Sequence, residues 1–133
     1  MPTESTLVIV KPDAVERGLA GEILGRLERK GLRLAEMRLM RIDRELAEQH
    51  YGEHADKPFF GELVDFITSG DVVVARVEGE QAISVVRTLM GPTDPAQAPP
   101  GTIRGDFGTV ISHNLVHGSD SEVSAKRELD LFF

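Results

Sequence analysis

One histidine stands where an apolar run gives way to residues that break a strand. It is His117, within the segment 114–120, which reads Asn-Leu-Val-His-Gly-Ser-Asp. The apolar pair before it predicts the end of a strand, and an imidazole held there keeps one ring nitrogen free to react. An earlier segment, 101–107, reads Gly-Thr-Ile-Arg-Gly-Asp-Phe and supplies positive charge for a phosphate. Together the two segments favour a histidine that accepts phosphate.

The residues around His117 strengthen this interpretation, because a lone histidine after an apolar pair is more often structural than catalytic. Glu128 lies in the following predicted helix, which returns across the sheet. Its carboxylate can hold one ring N–H, which fixes the tautomer and leaves the other nitrogen as a nucleophile. Ser119 can hydrogen-bond Glu128 or cap that helix, and the two roles are compatible.

Three cations are predicted to meet near the same strand end. Lys11 closes the first predicted strand, Arg87 lies on the helix before a long loop, and Arg104 lies within that loop. Each alone would be an ordinary solvated side chain, but together they would offset the charge of a polyphosphate. Neutral donors expected in reach of the same cleft are Thr93, Asn114 and Tyr51.

Familiar nucleotide and metal motifs are missing from the sequence. There is no Gly-Lys dipeptide for a P-loop and no Gly-x-Gly-x-x-Gly, so any phosphate must be held by side chains and a loop. His50 and His54 have the i, i+4 spacing of metal ligands on one helix face. Without a His-Glu-x-x-His motif or any cysteine, we expect them to be exposed or to pack against neighbours.

Composition limits the class of protein. The chain has 133 residues, 41% of them hydrophobic, which suits one globular domain over residues 1–133. The net charge of −7 speaks against a broad nucleic-acid or anionic-membrane surface. Cysteine is absent, the N-terminus lacks a basic and apolar leader, and no apolar run approaches the ~20 residues of a membrane span. The expected location is therefore the cytoplasm.

Hydrophobic periodicity predicts the element order β-α-β-α-α-β-α-loop-β-α. The predicted strands are 6–10, 32–40, 72–77 and 114–117, and the predicted helices are 18–30, 44–51, 58–68, 81–90 and a last one, capped by Ser119 or Ser121, through 131. The loop at 91–108 has four prolines and no periodicity. Two βαβ units make a ferredoxin-like α+β sandwich, a four-stranded antiparallel sheet (βαββαβ) with helices on one face and a two-helix insertion. The insertion is expected to bury Phe59, Leu63, Phe66 and Ile67.

The chain resembles nucleoside diphosphate kinases over essentially its whole length. Six blocks in family order carry the resemblance: Val10-Lys11-Pro12-Asp13-Ala14, Glu48-Gln49-His50-Tyr51, Lys57-Pro58-Phe59-Phe60, Gly91-Pro92-Thr93-Asp94-Pro95, 100–107 and 114–121. It departs from the usual family pattern at Asp71, where proline is common, and at His113, where arginine is frequent. It also ends on Phe132-Phe133 where relatives commonly have Trp-Phe, and these two rings could pack internally or seal a subunit contact.

The resemblance implies a transfer of the γ-phosphate from ATP and other nucleoside triphosphates to nucleoside diphosphates, by a ping-pong mechanism through a phosphohistidine. It makes His117 the nucleophile, with Glu128 and Ser119 orienting it. Phe59 would stack on the nucleobase beside Leu63 and Ile111, which gives broad base specificity. The implied phosphate or ribose ligands are Lys11 (also catalytic), Tyr51, Arg87, Thr93, Arg104 and Asn114.

The resemblance also implies Mg²⁺ carried by the nucleotide phosphates, because no dedicated carboxylate cage is visible in the sequence. It implies a homo-oligomer, with a hexamer favoured over a tetramer. Two other functions stay open on the residues alone. One is a non-catalytic nucleotide-sensing ferredoxin-like module, and the other is a phosphorelay carrier that receives phosphate on His117 from a protein. A carrier needs no base-stacking platform, so Phe59 and the three cations argue against it.

Overall fold

The computed structural model describes residues 3–133; residues 1 and 2 of the predicted domain lie outside the described part. Its strands are β1 (Thr3–Val10), β2 (Arg33–Arg41), β3 (Asp71–Glu80) and β4 (Val116–Gly118). Its helices are α1 (Pro12–Glu16), α2 (Ala20–Arg29), α3 (Arg44–His50), α4 (Phe60–Ile67), α5 (Ala82–Met90), α6 (Ile103–Phe107) and α7 (Glu122–Phe132). Single 3₁₀ turns lie at Gly52–His54, Pro95–Gln97 and Ile111–His113.

The strands form one antiparallel sheet in the order β2-β3-β1-β4, which confirms the predicted ferredoxin-like arrangement. β1 and β3 are the central pair, with Val10 opposite Val73. The short β4 lies on the other side of β1, where Ile9 is opposite His117. This register brings His117 to the same sheet end as Lys11, the residue that directly follows β1.

The prediction of helices on one face only was wrong, because both faces of the sheet are covered. Alternate side chains of β1 enter two separate cores: Val8 and Val10 face one layer, and Leu7 and Ile9 face the other. The first layer is built from Ile23, Leu27, Ala82 and Val86 of α2 and α5. The second is built from Ala47, Val64, Ile67, Leu129 and Phe132 of α3, α4 and α7. Burying one such aliphatic side chain stabilises the fold by roughly 1.5–3 kcal/mol.

The insertion and the last helix begin where their capping residues place them. The Asp43 side chain accepts a hydrogen bond from the Leu46 amide at 2.8 Å and caps α3, as predicted. Of the two serines considered for α7, Ser121 is the cap, accepting from the Ser124 amide at 3.1 Å. Ser119 is thereby left for another partner.

The insertion differs from the prediction in two ways. Helix α4 begins at Phe60, two positions after Pro58, so Phe59 precedes the helix and is 43% exposed rather than buried. Helix α3 ends at His50, so His54 lies in the following 3₁₀ turn and not on the same helix face. Both differences come from the turn at 52–59, which contains two residues that favour helix ends, Gly52 and Pro58.

Two short helices were missed in segments predicted as non-helical. Pro12 occupies the first helical position of α1 directly after β1. Helix α6 lies inside the long loop, where Thr102 accepts from the Gly105 amide at 2.9 Å and caps it. Any side chain at Gly105 would collide with the Pro99 carbonyl, so only glycine allows this close packing. The loop therefore contributes to the core, with Ile103 fully buried.

The chain's final residues pack internally. Phe132 is buried, and the guanidinium groups of Arg38 and Arg76 lie 4.9 and 5.6 Å from the centre of the Phe133 ring. Each helix in the described residues 3–133 is too short or too polar to span a bilayer.

Candidate active site

A cavity of about 820 Å³ opens beside the end of β1 and the start of β4. Its walls include every residue predicted to bind nucleotide, together with the predicted nucleophile and its carboxylate partner: Lys11, Tyr51, Phe59, Leu63, Arg87, Thr93, Arg104, Ile111, Asn114, His117 and Glu128. Ser119 is fully buried behind the wall. Residues far apart in the sequence thus converge on one site, as expected for a ligand-binding pocket.

His117, Glu128 and Ser119 form a hydrogen-bonded chain at the base of the cavity. The Glu128 Oε1 atom lies 2.8 Å from His117 Nε2 and accepts a bond of 2.7 Å from the Ser119 hydroxyl. Burial alone would raise the pKa of Glu128, but the hydrogen bond from His117, the charge of His117 and the bond from Ser119 leave this pKa below its ordinary value. The carboxylate is therefore ionised at neutral pH. Since it can only accept, the proton of the neutral His117 ring lies on Nε2, and Nδ1 of that ring keeps its lone pair.

Arg104 fastens the loop to the strand end while remaining a cation. Its guanidinium donates to the carbonyls of Gly91, Asn114 and Val116 at 3.0, 3.1 and 2.7 Å. Burial and the nearby charge of Arg87 lower its pKa to about 10, which still leaves it protonated at neutral pH. Nη1 and Nη2 each keep a second N–H, so Arg104 can hold the loop and also donate to an anion.

Lys11 is the second cation of the cavity floor. Its Nζ donates to the Asn114 side-chain oxygen at 2.8 Å, and the Asn114 amide nitrogen donates to the Thr93 carbonyl at 3.1 Å. Burial and the charge of Arg104 lower the pKa of Lys11 to about 8, partly opposed by Asp13. An anion bound in the cavity would raise this pKa again and be attracted in return.

Arg87 and Tyr51 also line the cavity. Arg87 is exposed and donates to the Gly118 carbonyl at 3.0 Å, one residue beyond His117. Burial, with a smaller contribution from the charge of Glu128, raises the pKa of Tyr51 to about 12. The Tyr51 hydroxyl therefore stays protonated and available as a donor.

Part of the cavity wall is apolar. Phe59 and Ile111 are exposed there, and Leu63 is half-buried. Exposed aromatic and aliphatic side chains at a polar rim are typical of a surface that binds a planar ligand. The site therefore combines exposed apolar side chains with cationic ones, which matches the base and the phosphates of a nucleotide.

Comparison with known proteins decides the family. The family model for nucleoside diphosphate kinase matches residues 4–133. The nucleoside diphosphate kinase of Rubrobacter xylanophilus is 65% identical over 130 residues, which are 98% of each chain. That of Archaeoglobus fulgidus is 62% identical over 130 residues, 98% of this chain and 86% of the relative. The chain belongs to the nucleoside diphosphate kinase family.

Solved structures agree with this membership. A halophilic nucleoside diphosphate kinase from Halobacterium salinarum, solved in complex with CDP, is 56% identical with a TM-score of 0.97. The match covers 99% of this chain and 88% of that chain. The chain is therefore a nucleotide-binding phosphotransferase that moves the γ-phosphate of a nucleoside triphosphate to a nucleoside diphosphate. The resemblance inferred from the six sequence blocks is confirmed.

Within this nucleoside diphosphate kinase fold, His50 has a position that the sequence did not reveal. It is buried, and its ring centre lies 4.8 Å from that of His117 in an edge-to-face arrangement. A packing role was one of the two expected for His50, but its contact with the predicted nucleophile was missed. No local sequence signal predicts it, because the contact joins α3 of the insertion to β4. Asp120 and Arg127 also line the cavity and were not singled out from the sequence.

Acidification is expected to destabilise the fold through His50. Burial and the charge of His117 lower its pKa to about 3 in the folded chain, against 6.5 for the ordinary side chain. Between these values the unfolded chain binds a proton that the folded chain does not. The free energy of unfolding should therefore fall as the pH drops below about 6.5, by up to ~1.4 kcal/mol per pH unit from this group.

Urea unfolding between pH 4.5 and 7.5 tests this. The free energy of unfolding of His50→Phe should fall less steeply with decreasing pH than that of the unmodified chain, because phenylalanine does not titrate. His54→Phe is the matched control and should keep the original slope. An unchanged slope in His50→Phe would show that His50 is not held neutral by the fold.

Proposed function

We propose that the chain catalyses this transfer through a phosphohistidine formed on Nδ1 of His117. The observation that carries the proposal is the bond of 2.8 Å between Nε2 and Glu128, which leaves Nδ1 as the unprotonated nitrogen. Among the described residues, Nδ1 has no hydrogen-bond partner, and the ring lines the cavity. The test is whether the chain forms a phosphoenzyme from a triphosphate alone and passes that phosphate to a diphosphate.

The proposed reaction has two similar steps. The Nδ1 lone pair attacks the γ-phosphorus in line, an N–P bond forms, and the bond to the bridging oxygen breaks. The nucleoside diphosphate leaves with that electron pair. The proton stays on Nε2 and keeps its hydrogen bond to Glu128. The carboxylate stabilises the positive charge that develops on the ring. In the second step a terminal oxygen of another nucleoside diphosphate attacks the phosphorus, the N–P bond breaks, and the neutral imidazole is restored.

The cationic floor would bind the phosphates during both steps. Lys11 and Arg104 have unused N–H donors within the cavity, and Arg87 lies beside the backbone of the His117 strand. Thr93, Asn114 and Tyr51 would add neutral donors to phosphate or ribose. In other enzymes, removing one donor to a developing negative charge costs about 2.7–4 kcal/mol. Ser119 would act only through Glu128, because it is buried away from the cavity.

Phe59 would carry most of base recognition by stacking. Its replacement by alanine is expected to raise the KM of all common nucleoside diphosphates by a similar factor, roughly 5- to 10-fold, with a smaller change in kcat. Stacking requires only a ring with a π-face, so the loss should not depend on the base. Steady-state kinetics with purine and pyrimidine diphosphates provide the measurement.

The control for this variant is Val110→Ala, a truncation of an apolar side chain that is similarly exposed but lies outside the cavity wall. It should leave KM unchanged for every base. A loss confined to one base in Phe59→Ala would mean that hydrogen bonds read the base, contrary to recognition by stacking with Leu63 and Ile111 as neighbours.

The reaction of the family requires a divalent cation, and we propose Mg²⁺. In the described residues, the one group of three potential ligands is His50, His117 and Glu128. Two imidazoles do not suit Mg²⁺, which prefers oxygen, so this group is not its site. Mg²⁺ fits better as a companion of the phosphate oxygens, whose charge it neutralises. Asp120, whose pKa is lowered chiefly by a hydrogen bond with Ser124, is one of the cavity carboxylates that would assist in holding such an ion.

We further propose that residues 1–133 act as one domain that assembles as a homo-oligomer, a hexamer rather than a tetramer. Support for assembly comes from the edge strand β2, where Met37 and Leu39 are exposed. Light scattering would separate six copies of 14.6 kDa from four. Nucleoside triphosphates are intracellular metabolites, which favours a cytoplasmic location.

A further inference from the structure

A strained turn lies between the cavity floor and the nucleophile. Leu115 is fully buried and has a φ of 76°, a region that residues with a Cβ rarely adopt. The amide of Val116 donates to the Asn114 carbonyl at 2.8 Å, so the three residues form a γ-turn of the strained kind. Such a turn persists only where its surroundings hold it.

The segment after β1 holds this turn from two sides. The amide of Leu115 donates to Oδ2 of Asp13 at 3.1 Å, and the carbonyl of Leu115 accepts from the Lys11 amide at 2.9 Å. Of these two contacts, only the one from Asp13 is made by a side chain, so it is the contact that a substitution can remove. Asp13 lies in the first turn of α1, whose position is fixed by Pro12.

The turn determines where three groups of the site lie. Before it, the Asn114 side chain binds Lys11 and its carbonyl accepts from Arg104. After it, the Val116 carbonyl accepts from the same guanidinium, and His117 follows directly. If Leu115 relaxed to a negative φ, Asn114 and His117 would turn relative to each other, and Arg104 could not keep both carbonyl contacts.

We propose that Asp13 is a positioning residue for phosphate transfer, because its carboxylate holds the strained turn that sets Asn114, Arg104 and His117 in their relative places. This rests on the proposed role of His117. Asp13 does not line the nucleotide cavity, so it acts through the turn and not on the nucleotide. The second possible action of Asp13 is through the charge it places near Lys11.

Two substitutions separate these actions. Asp13→Asn keeps an acceptor oxygen for the Leu115 amide and removes the charge, whereas Asp13→Glu keeps the charge and displaces the acceptor by one methylene. With the turn as the cause, Asp13→Asn should retain kcat within about 3-fold, and Asp13→Glu and Asp13→Ala should lose roughly 10-fold or more. The KM for nucleotides should stay within about 3-fold in all three. A normal kcat in Asp13→Glu together with a large loss in Asp13→Asn would overturn the proposal.

A comparison of two substitutions at Leu115 gives a second measurement, whose result a general structural defect would not change. Leu115→Gly and Leu115→Ala remove nearly the same buried side chain, but only glycine adopts a φ of 76° without strain. In the Asp13→Ala chain, Leu115→Gly should therefore have at least 5-fold higher kcat than Leu115→Ala. Equal kcat in the two double variants would contradict the proposal. If Asp13→Ala does not fold, Asp13→Glu takes its place in the same comparison.

Phosphoenzyme formation by the unmodified chain distinguishes a failure of this proposal from a failure of the proposed function. If the unmodified chain forms no phosphohistidine, the role of His117 fails first. If it does, and Asp13→Ala and Asp13→Glu form it at the unmodified rate, only the role of Asp13 fails.

Discussion

Replacing His117 with alanine should abolish phosphate exchange between nucleotides while leaving nucleotide binding measurable. Among the described residues, the imidazole is the group placed to form the covalent intermediate, and in an unrelated enzyme with a covalent intermediate the loss of an essential catalytic group lowers kcat by roughly 10⁶-fold. Binding should persist because Lys11, Arg104 and Phe59 do not depend on the imidazole for their positions. Turnover is measured with a labelled triphosphate and an unlike diphosphate, and binding by the rise in melting temperature that the nucleotide produces.

His113→Ala is the matched control for this variant. His113 also lines the cavity, but it is exposed and packs against Phe66, with ring centres 4.7 Å apart. Its loss should change kcat by no more than a few-fold. Normal turnover in His117→Ala would rule out the covalent mechanism, and loss of binding in that variant would show that the imidazole also builds the pocket.

Replacing Glu128 with alanine should have the second largest effect, a loss of about 10²- to 10⁴-fold in kcat. Without the carboxylate, nothing among the described residues fixes the proton on Nε2 of His117, so the ring can rotate or take the other tautomer. The Ser119 hydroxyl also loses its acceptor. An unsatisfied buried polar group costs roughly 1–3 kcal/mol, so the variant should also be less stable.

Two further variants separate these effects. Glu128→Gln keeps an oxygen that can accept from Nε2, so its kcat should lie between those of Glu128→Ala and the unmodified chain. Asp130→Ala removes an exposed carboxylate from the same helix and should change neither kcat nor stability beyond experimental error. Steady-state kinetics and urea unfolding supply both readouts. A Glu128→Ala variant with unmodified kcat would mean that His117 is oriented by something else.

Helices and strands that are long enough to show a repeating spacing of apolar residues were predictable from the sequence. Strand β3 and helix α5 were located from their apolar spacing, and the sheet followed from the order of the elements. Helices α1 and α6 were missed because each has only five residues, too few to repeat. The covered second face was missed because the two insertion helices, α3 and α4, and the last helix, α7, were all expected on the same face as the others.

The site was predictable where one residue type points to one kind of chemistry. A histidine at a strand end and a carboxylate in the next helix suggested their contact without any structure, and that contact is present. The identities of the phosphate and base ligands came from the family blocks instead. The positive φ of Leu115 could not have been foreseen, since leucine is a poor residue for that conformation and tertiary contacts impose it. Because this turn was not predictable, Asp13 was noted in one of the six family blocks but was given no role.

The most direct test of the mechanism uses the pure chain with γ-labelled ATP and Mg²⁺, without any acceptor. The proposed phosphohistidine predicts a labelled protein whose phosphate is labile in acid and stable in base, as expected for a phosphate on nitrogen. Adding an unlike nucleoside diphosphate should then move the label from the protein to the new triphosphate, and His117→Ala should take up none. A chain that binds ATP and remains unlabelled would contradict the covalent mechanism.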